Sequence, residues 1–116
     1  AVVNDDTLDR LRVDIVAGAA NNQLERGDVH GPGLHERGIL YAPDYVINAG
    51  GLINVYGELE GWSTERSKRK AGDIYNTHLR IFDLAKSERI PTDTAANRLA
   101  EERLREARHL QRTYLP

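Results

Sequence analysis

Cysteine is absent from the 116 residues, which excludes disulfides, thiolate catalysis and cysteine-ligated zinc together and fits a reducing compartment. Long apolar runs are absent too. No stretch approaches the roughly 20 apolar residues of a membrane-spanning helix, and the first residues lack the charged-then-apolar pattern of a secretory leader. The sequence therefore reads as cytoplasmic, with no membrane partner. Charge of one sign is also missing: 16 Lys and Arg against 18 Asp and Glu leave a net charge of −2. Without a concentrated cationic excess there is no electrostatic case for a nucleic-acid partner. The local exception, Arg66, Lys68, Arg69 and Lys70, reads as a solvated helix face. His30 and His35 stand five apart across Gly31-Pro32-Gly33, which is no recognised zinc spacing, so no metal site is expected. His78 is expected at the edge of a core, His109 at the surface, and Trp62 at a helix junction.

What is present is a pattern of α/β type. Asn4 to Thr7 supplies capping side chains ahead of Leu8 and Leu11, predicting a short helix that ends near Arg12. Val13 to Ala17 is β-branched and stopped by Gly18, and reads as a mostly buried strand. Ala19 to Leu24 reads as a turn into a short helix and Gly27 to Gly33 as a glycine-rich loop. A brief helix around Leu34 to Arg37 then ends at Gly38, which can take the left-handed conformation of a C-cap. Ile39 to Ala42 reads as a second strand, and Pro43 and Asp44 start a helix. From Tyr45 to Leu59 that helix is apolar nearly all round, which predicts burial, and Gly50-Gly51 within it suggests a close approach to its backbone.

Ser63 caps a further helix whose Ala71, Ile74, Tyr75, His78, Ile81, Phe82 and Ala85 recur at three- and four-residue steps. Pro91 and Thr92 begin another, with Ala96, Leu99, Ala100, Leu104, Ala107 and Leu110 on one face and pairs such as Glu101 with Arg105 on the other. The two strands lie about 25 residues apart and are joined through helix, the spacing of a parallel βαβ unit. Parallel strands rarely stand as a pair, so the sheet is expected to continue in other residues.

Ligands of open parallel sheets sit beyond the carboxyl ends of the strands, at free helix N-termini. Two segments are placed to do this: Gly18 to Gln23 after the first strand, and Ala42-Pro43-Asp44 leading to Asn48 and Gly50-Gly51 after the second. Their small residues admit a ligand to the backbone and their carboxamides both donate and accept. On spacing alone they could equally be helix caps and packing glycines.

The wording of these segments says more. Val16-Ala17-Gly18-Ala19-Ala20-Asn21-Asn22-Gln23-Leu24, the run Leu34 to Gly51, and Ile90-Pro91-Thr92 with Ala95 to Ala100 resemble the C-terminal half of leucine, valine and phenylalanine dehydrogenases. The resemblance spans roughly Asn4 to Arg103. It implies an α/β fold, namely the C-terminal part of a Rossmann-like dinucleotide-binding domain over residues 1–61, followed over 62–116 by helices packing back on that domain. It also implies oxidative deamination of an apolar L-amino acid to the 2-oxo acid and ammonia, with hydride transfer to NAD, in a homo-oligomer. Residue by residue, Ala19, Ala20, Asn21 and Asn48 would face the cofactor. Asn21 would also approach the substrate head group, with Asn22 not separable from it. Gly51, Leu52 and Val55 would line the side-chain pocket. Leu52 stands where leucine-type members commonly carry a smaller residue, which implies a preference for valine-sized or short branched side chains.

The family's glycine-rich GxGxxG turn is not present, and Gly31-Pro32-Gly33 does not join strand to helix in the way that turn requires. Nor is there a lysine in a desolvated setting, since Lys68, Lys70 and Lys86 fall on solvated-looking helices. No catalytic acid or base is therefore assigned here, and one modest domain is all this length holds. The other reading is a non-catalytic module of the same ancestry whose apolar helices serve assembly.

Overall fold

The computed structural model describes residues 1–114, with the side chains of residues 1–109. Among them the order is α1 (Asp5–Leu8), β1 (Ile15–Val16), α2 (Gly27–Glu36), β2 (Leu40–Tyr41), α3 (Asp44–Ile47), α4 (Gly50–Leu59), α5 (Thr64–Glu88) and α6 (Thr92–Tyr114). β1 and β2 are parallel, with Ile15 opposite Leu40 and Val16 opposite Tyr41. The expected βαβ unit is thus present. Val3 adds a single parallel bridge to Leu24.

One core forms where the strands meet α2: Val3, Leu34, Ile39 and Tyr41 are buried, with Leu8, Leu11, Val16 and Leu24 packed around them. A second joins α5 to α6 through Ile81, Ala85, Ala95 and Ala96, with Val46, Phe82 and Leu99 against it. Thr92 ties the two together, its hydroxyl donating to the Tyr41 carbonyl at 2.6 Å.

Several local expectations hold. Asn4 caps α1 and Ser63 caps α5, each accepting from backbone N–H groups of the first turn. Gly38 has φ 69° after α2. Trp62 lies at the α4–α5 junction, edge-on to Tyr56 at 5.4 Å and under the Arg66 guanidinium at 4.3 Å. Glu101 pairs with Arg105. The basic run on α5 is solvated, with Lys68 on Glu65 and Lys70 on Asp73. His78 is buried and His109 exposed.

Other expectations are corrected. The segment 27–33 is no loop: it is the body of α2, despite three glycines and Pro32. Tertiary contacts override its poor helix propensity. A Cβ on Gly31 would lie 2.5 Å from the Asp93 carboxylate, and one on Gly33 2.6 Å from Leu8 Cδ2, so the glycines admit α6 and α1 to the helix surface. Nor is there a helix in residues 19–24, where Asn22 sits at φ 53° and reverses the chain.

The continuous helix expected from Tyr45 to Leu59 is two helices, broken at Asn48-Ala49. Neither is enclosed. Leu52 is 74% and Leu59 80% exposed, Val55 and Tyr56 are exposed, and a Cβ on Gly50 or Gly51 would meet nothing within 4 Å. Only Gly57 of α4 is buried, against Ser67 and Trp62. β1 is likewise more open than expected, with Ile15 59% exposed, because two strands cannot cover one another's faces. On α5, Tyr75 is exposed, and on α6 the apolar face is covered only at its start, since Leu104 is exposed. The side chain of Leu110 lies outside the described residues.

Candidate functional site

The carboxyl ends of β1 and β2 lie side by side because the strands are parallel and in register, so the segments following them meet. The Asn48 carboxamide at the end of α3 donates through Nδ2 to Asn21 Oδ1 at 2.5 Å. This leaves Asn21 Nδ2 as donor and Asn48 Oδ1 as acceptor without protein partners among the described residues. Ala19 and Ala20 are exposed beside them.

Asn22 goes elsewhere. Its left-handed backbone turns it into a cleft of about 190 Å³ shared with Tyr41, Asp44, Tyr45, Asp93 and Asn97. The structure thus separates the two asparagines that sequence could not: Asn21 faces Asn48, and Asn22 faces the start of α6. Gly51, Leu52 and Val55 stand on α4. Leu52 and Val55, one helical turn apart, present apolar surface outward.

Burial governs the electrostatics of the cleft. It raises Tyr41 to about 12, helped by Asp44 and Asp93, against a hydrogen bond from the Asp44 N–H. Tyr45 is raised for the same reason, burial first and then Asp93 and Asp44. Its hydroxyl donates to Asn97 Oδ1 at 3.0 Å. Asp93 is raised by burial, although backbone N–H groups and His35 oppose the shift. Both phenols therefore stay protonated near neutrality. The cleft presents amides, hydroxyls and two carboxylates, and none of its lining residues is a lysine.

Two buried residues have structural roles that the sequence did not assign them. Gln23 is buried with its Nε2 donating to the carbonyls of Gly18 and Ala20. His30, wholly buried, accepts the Arg26 N–H at Nδ1, so its proton sits on Nε2, which donates to Asp5 Oδ1 at 3.0 Å. Arg26 holds both oxygens of that carboxylate. Neither role carries a periodic signal: Gln23 reaches carbonyls three and five residues before it across a loop, and His30 joins the Arg26 N–H four residues before it to the Asp5 carboxylate 25 residues away. Among the described residues no cluster of His, Asp and Glu could hold a metal ion, and no helix is long and apolar enough to cross a membrane.

Comparison with known proteins gives the family. The sequence profile of the Glutamate/Leucine/Phenylalanine/Valine dehydrogenase family matches residues 1–112. The chain is 50% identical over 115 residues to leucine dehydrogenase of Thermoactinomyces intermedius, covering 99% of this chain and 31% of that protein. It is 54% identical over 106 residues to valine dehydrogenase of Streptomyces coelicolor, covering 91% and 29% respectively. The crystal structure of L-tryptophan dehydrogenase from Nostoc punctiforme superposes with a TM-score of 0.88 at 48% identity, over 93% of this chain and 33% of that one. The chain thus spans about a third of the length of the relatives it matches, and by profile, identity and fold it belongs to the glutamate, leucine, phenylalanine and valine dehydrogenase family.

Proposed function

We propose that these residues form the nicotinamide-facing and side-chain-facing part of a longer NAD-dependent enzyme. It would convert an apolar L-amino acid, NAD and water to the 2-oxo acid, ammonium, NADH and a proton. The observation that carries this reading is the Asn21–Asn48 pair at the carboxyl edge of the parallel strands. Its free donor and free acceptor match the oxygen and the NH₂ of a nicotinamide carboxamide, and Ala19 and Ala20 leave room beside it. When bound, NAD would supply the hydride acceptor. The residues here would orient its ring, and Gly51, Leu52 and Val55 would wall the substrate side chain. The pyrophosphate has no glycine-rich turn in these residues, so its binding and the acid/base chemistry belong to the rest of the protein.

The same reading makes 1–61 the C-terminal part of the Rossmann-like domain and 62–116 the helices that pack back on it. It also places the enzyme in the cytoplasm as a homo-oligomer. Supporting it are the open edge of a two-stranded parallel sheet and the uncovered apolar side of α4. The test is NADH formation by the full-length protein, with L-valine, L-leucine and L-phenylalanine as substrates and NADP as the competing cofactor. Turnover of none of the three ends the reading.

The exposed Leu52, Val55 and Leu59 also suit an assembly module of dehydrogenase ancestry. The intact mass of the native polypeptide separates the two, because a module would have a mass near 13.0 kDa and an enzyme one far above it.

A further inference from the structure

We propose that Gln23 is the positioning residue that seats Asn21 against Asn48 and so sets the nicotinamide-facing edge; this rests on the NAD-dependent reading above. Gln23 is 6% exposed, and a buried carboxamide is costly unless its hydrogens are used. Both are used. Nε2 donates to the Gly18 carbonyl at 2.7 Å and to the Ala20 carbonyl at 3.2 Å. Those two carbonyls bracket Ala19, and the second immediately precedes Asn21, so one side chain closes the loop from its inner side. Ala19, Ala20 and Asn21 are left on the outer one.

The backbone of the same residue reaches the other half of the site. The Gln23 N–H donates to Asp44 Oδ2 at 2.8 Å, while Asp44 Oδ1 accepts the Tyr45 N–H at 2.6 Å. Asp44 opens α3, the single turn that ends at Asn48. The Gln23 carbonyl accepts the Val3 N–H at 2.9 Å, a third anchor. Between them, Asn22 at φ 53° reverses the chain, which lets Asn21 point outward while its second neighbour points in. Gln23 thus holds the loop after β1 by its side chain and the helix after β2 by its backbone. The Asn21–Asn48 hydrogen bond is where those two constraints meet.

The test uses the full-length protein and two substitutions. Gln23→Glu keeps the shape and sets a carboxylate against two carbonyls. Gln23→Met keeps the buried length and removes the donors. NAD binding is titrated calorimetrically on the folded protein, alongside melting temperature and the NAD KM. Losing a buried hydrogen-bonded clamp is expected to raise the NAD Kd and KM about tenfold for each variant, beyond any change in stability. A glutamine that only satisfies buried carbonyls would lower the melting temperature and leave the Kd of the folded protein unchanged. That result, or failure of both variants to fold, overturns the proposal. A wild-type protein that takes up no NAD in the same titration overturns the NAD reading itself, so the two failures are told apart by the first experiment of the series.

Discussion

The carboxylate of Asp93, in the first turn of α6, rests directly on the α-carbon of Gly31 in α2, so that a Cβ at position 31 would lie 2.5 Å from either carboxylate oxygen. This contact fixes how closely the last helix approaches the crossover helix of the βαβ unit. Gly31→Ala is expected to destabilise the protein. Overpacking of this kind costs about 1–3 kcal/mol, against about 1 kcal/mol gained by replacing a helical glycine. Urea unfolding of Gly31→Ala, Asp93→Ala and the double variant tests it. The double variant should recover most of the loss, and additive losses would show that the contact is not the cause.

Asp93 and Asp5 should give opposite pH dependences. The folded pKa of Asp93 is raised above 3.8 by burial. Its neutral form therefore favours the fold fully below the unfolded value, and that contribution is lost as pH rises through the folded one. Asp93→Asn should be more stable than the wild type near neutrality and lose that advantage in acid. The folded pKa of Asp5 is lowered by its hydrogen bonds from His30 and Arg26. Its contribution is present above 3.8 and is lost as pH falls through the folded value, so Asp5→Asn should be less stable near neutrality and equal to the wild type in strong acid. Thermal melts from pH 7 down into strong acid, about pH 2, read both signs.

At the α4–α5 junction, a Cβ on Gly57 would come 2.7 Å from Ser67 Oγ and 3.2 Å from Trp62. Gly57→Ala should push α4 away from α5 and shift the fluorescence of Trp62, the sole tryptophan, to longer wavelength. Gly72→Ala, which meets nothing within 4 Å, serves as the control and should leave the spectrum alone.

Specificity should follow Leu52. If this exposed side chain walls the substrate pocket in the full-length enzyme, Leu52→Ala relieves the limit on side-chain size. The ratio of kcat/KM for L-leucine over L-valine should then rise by about tenfold or more, since a methylene in such a pocket is worth about 1–3 kcal/mol. An unchanged ratio would remove Leu52 from the pocket.

Much of the architecture was legible because it rests on local rules. The caps at Asn4 and Ser63, the left-handed Gly38 and the parallel pairing of the two strands follow from side-chain chemistry, glycine geometry and connection length. The errors cluster where a distant partner decides. Propensity alone makes Gly27 to Gly33 a loop, and only Leu8 and Asp93, from the two ends of the chain, explain why it is helical. Hydrophobicity alone makes Tyr45 to Leu59 one buried helix. The turn at Asn48, tied to Asn21, and the lack of any covering surface among the described residues make it two exposed ones.

The candidate site divides the same way. Spacing brought forward only the two segments after the strands, and the resemblance of their wording to the family singled out Ala19, Ala20, Asn21 and Asn48 within them. That Asn21 pairs with Asn48, while Asn22 turns to the Asp93 cleft and the Gln23 N–H reaches Asp44, only the tertiary structure decided. Hydrogen bonds between residues 27 and 21 apart depend on where the folded chain returns to itself, and no local pattern records that.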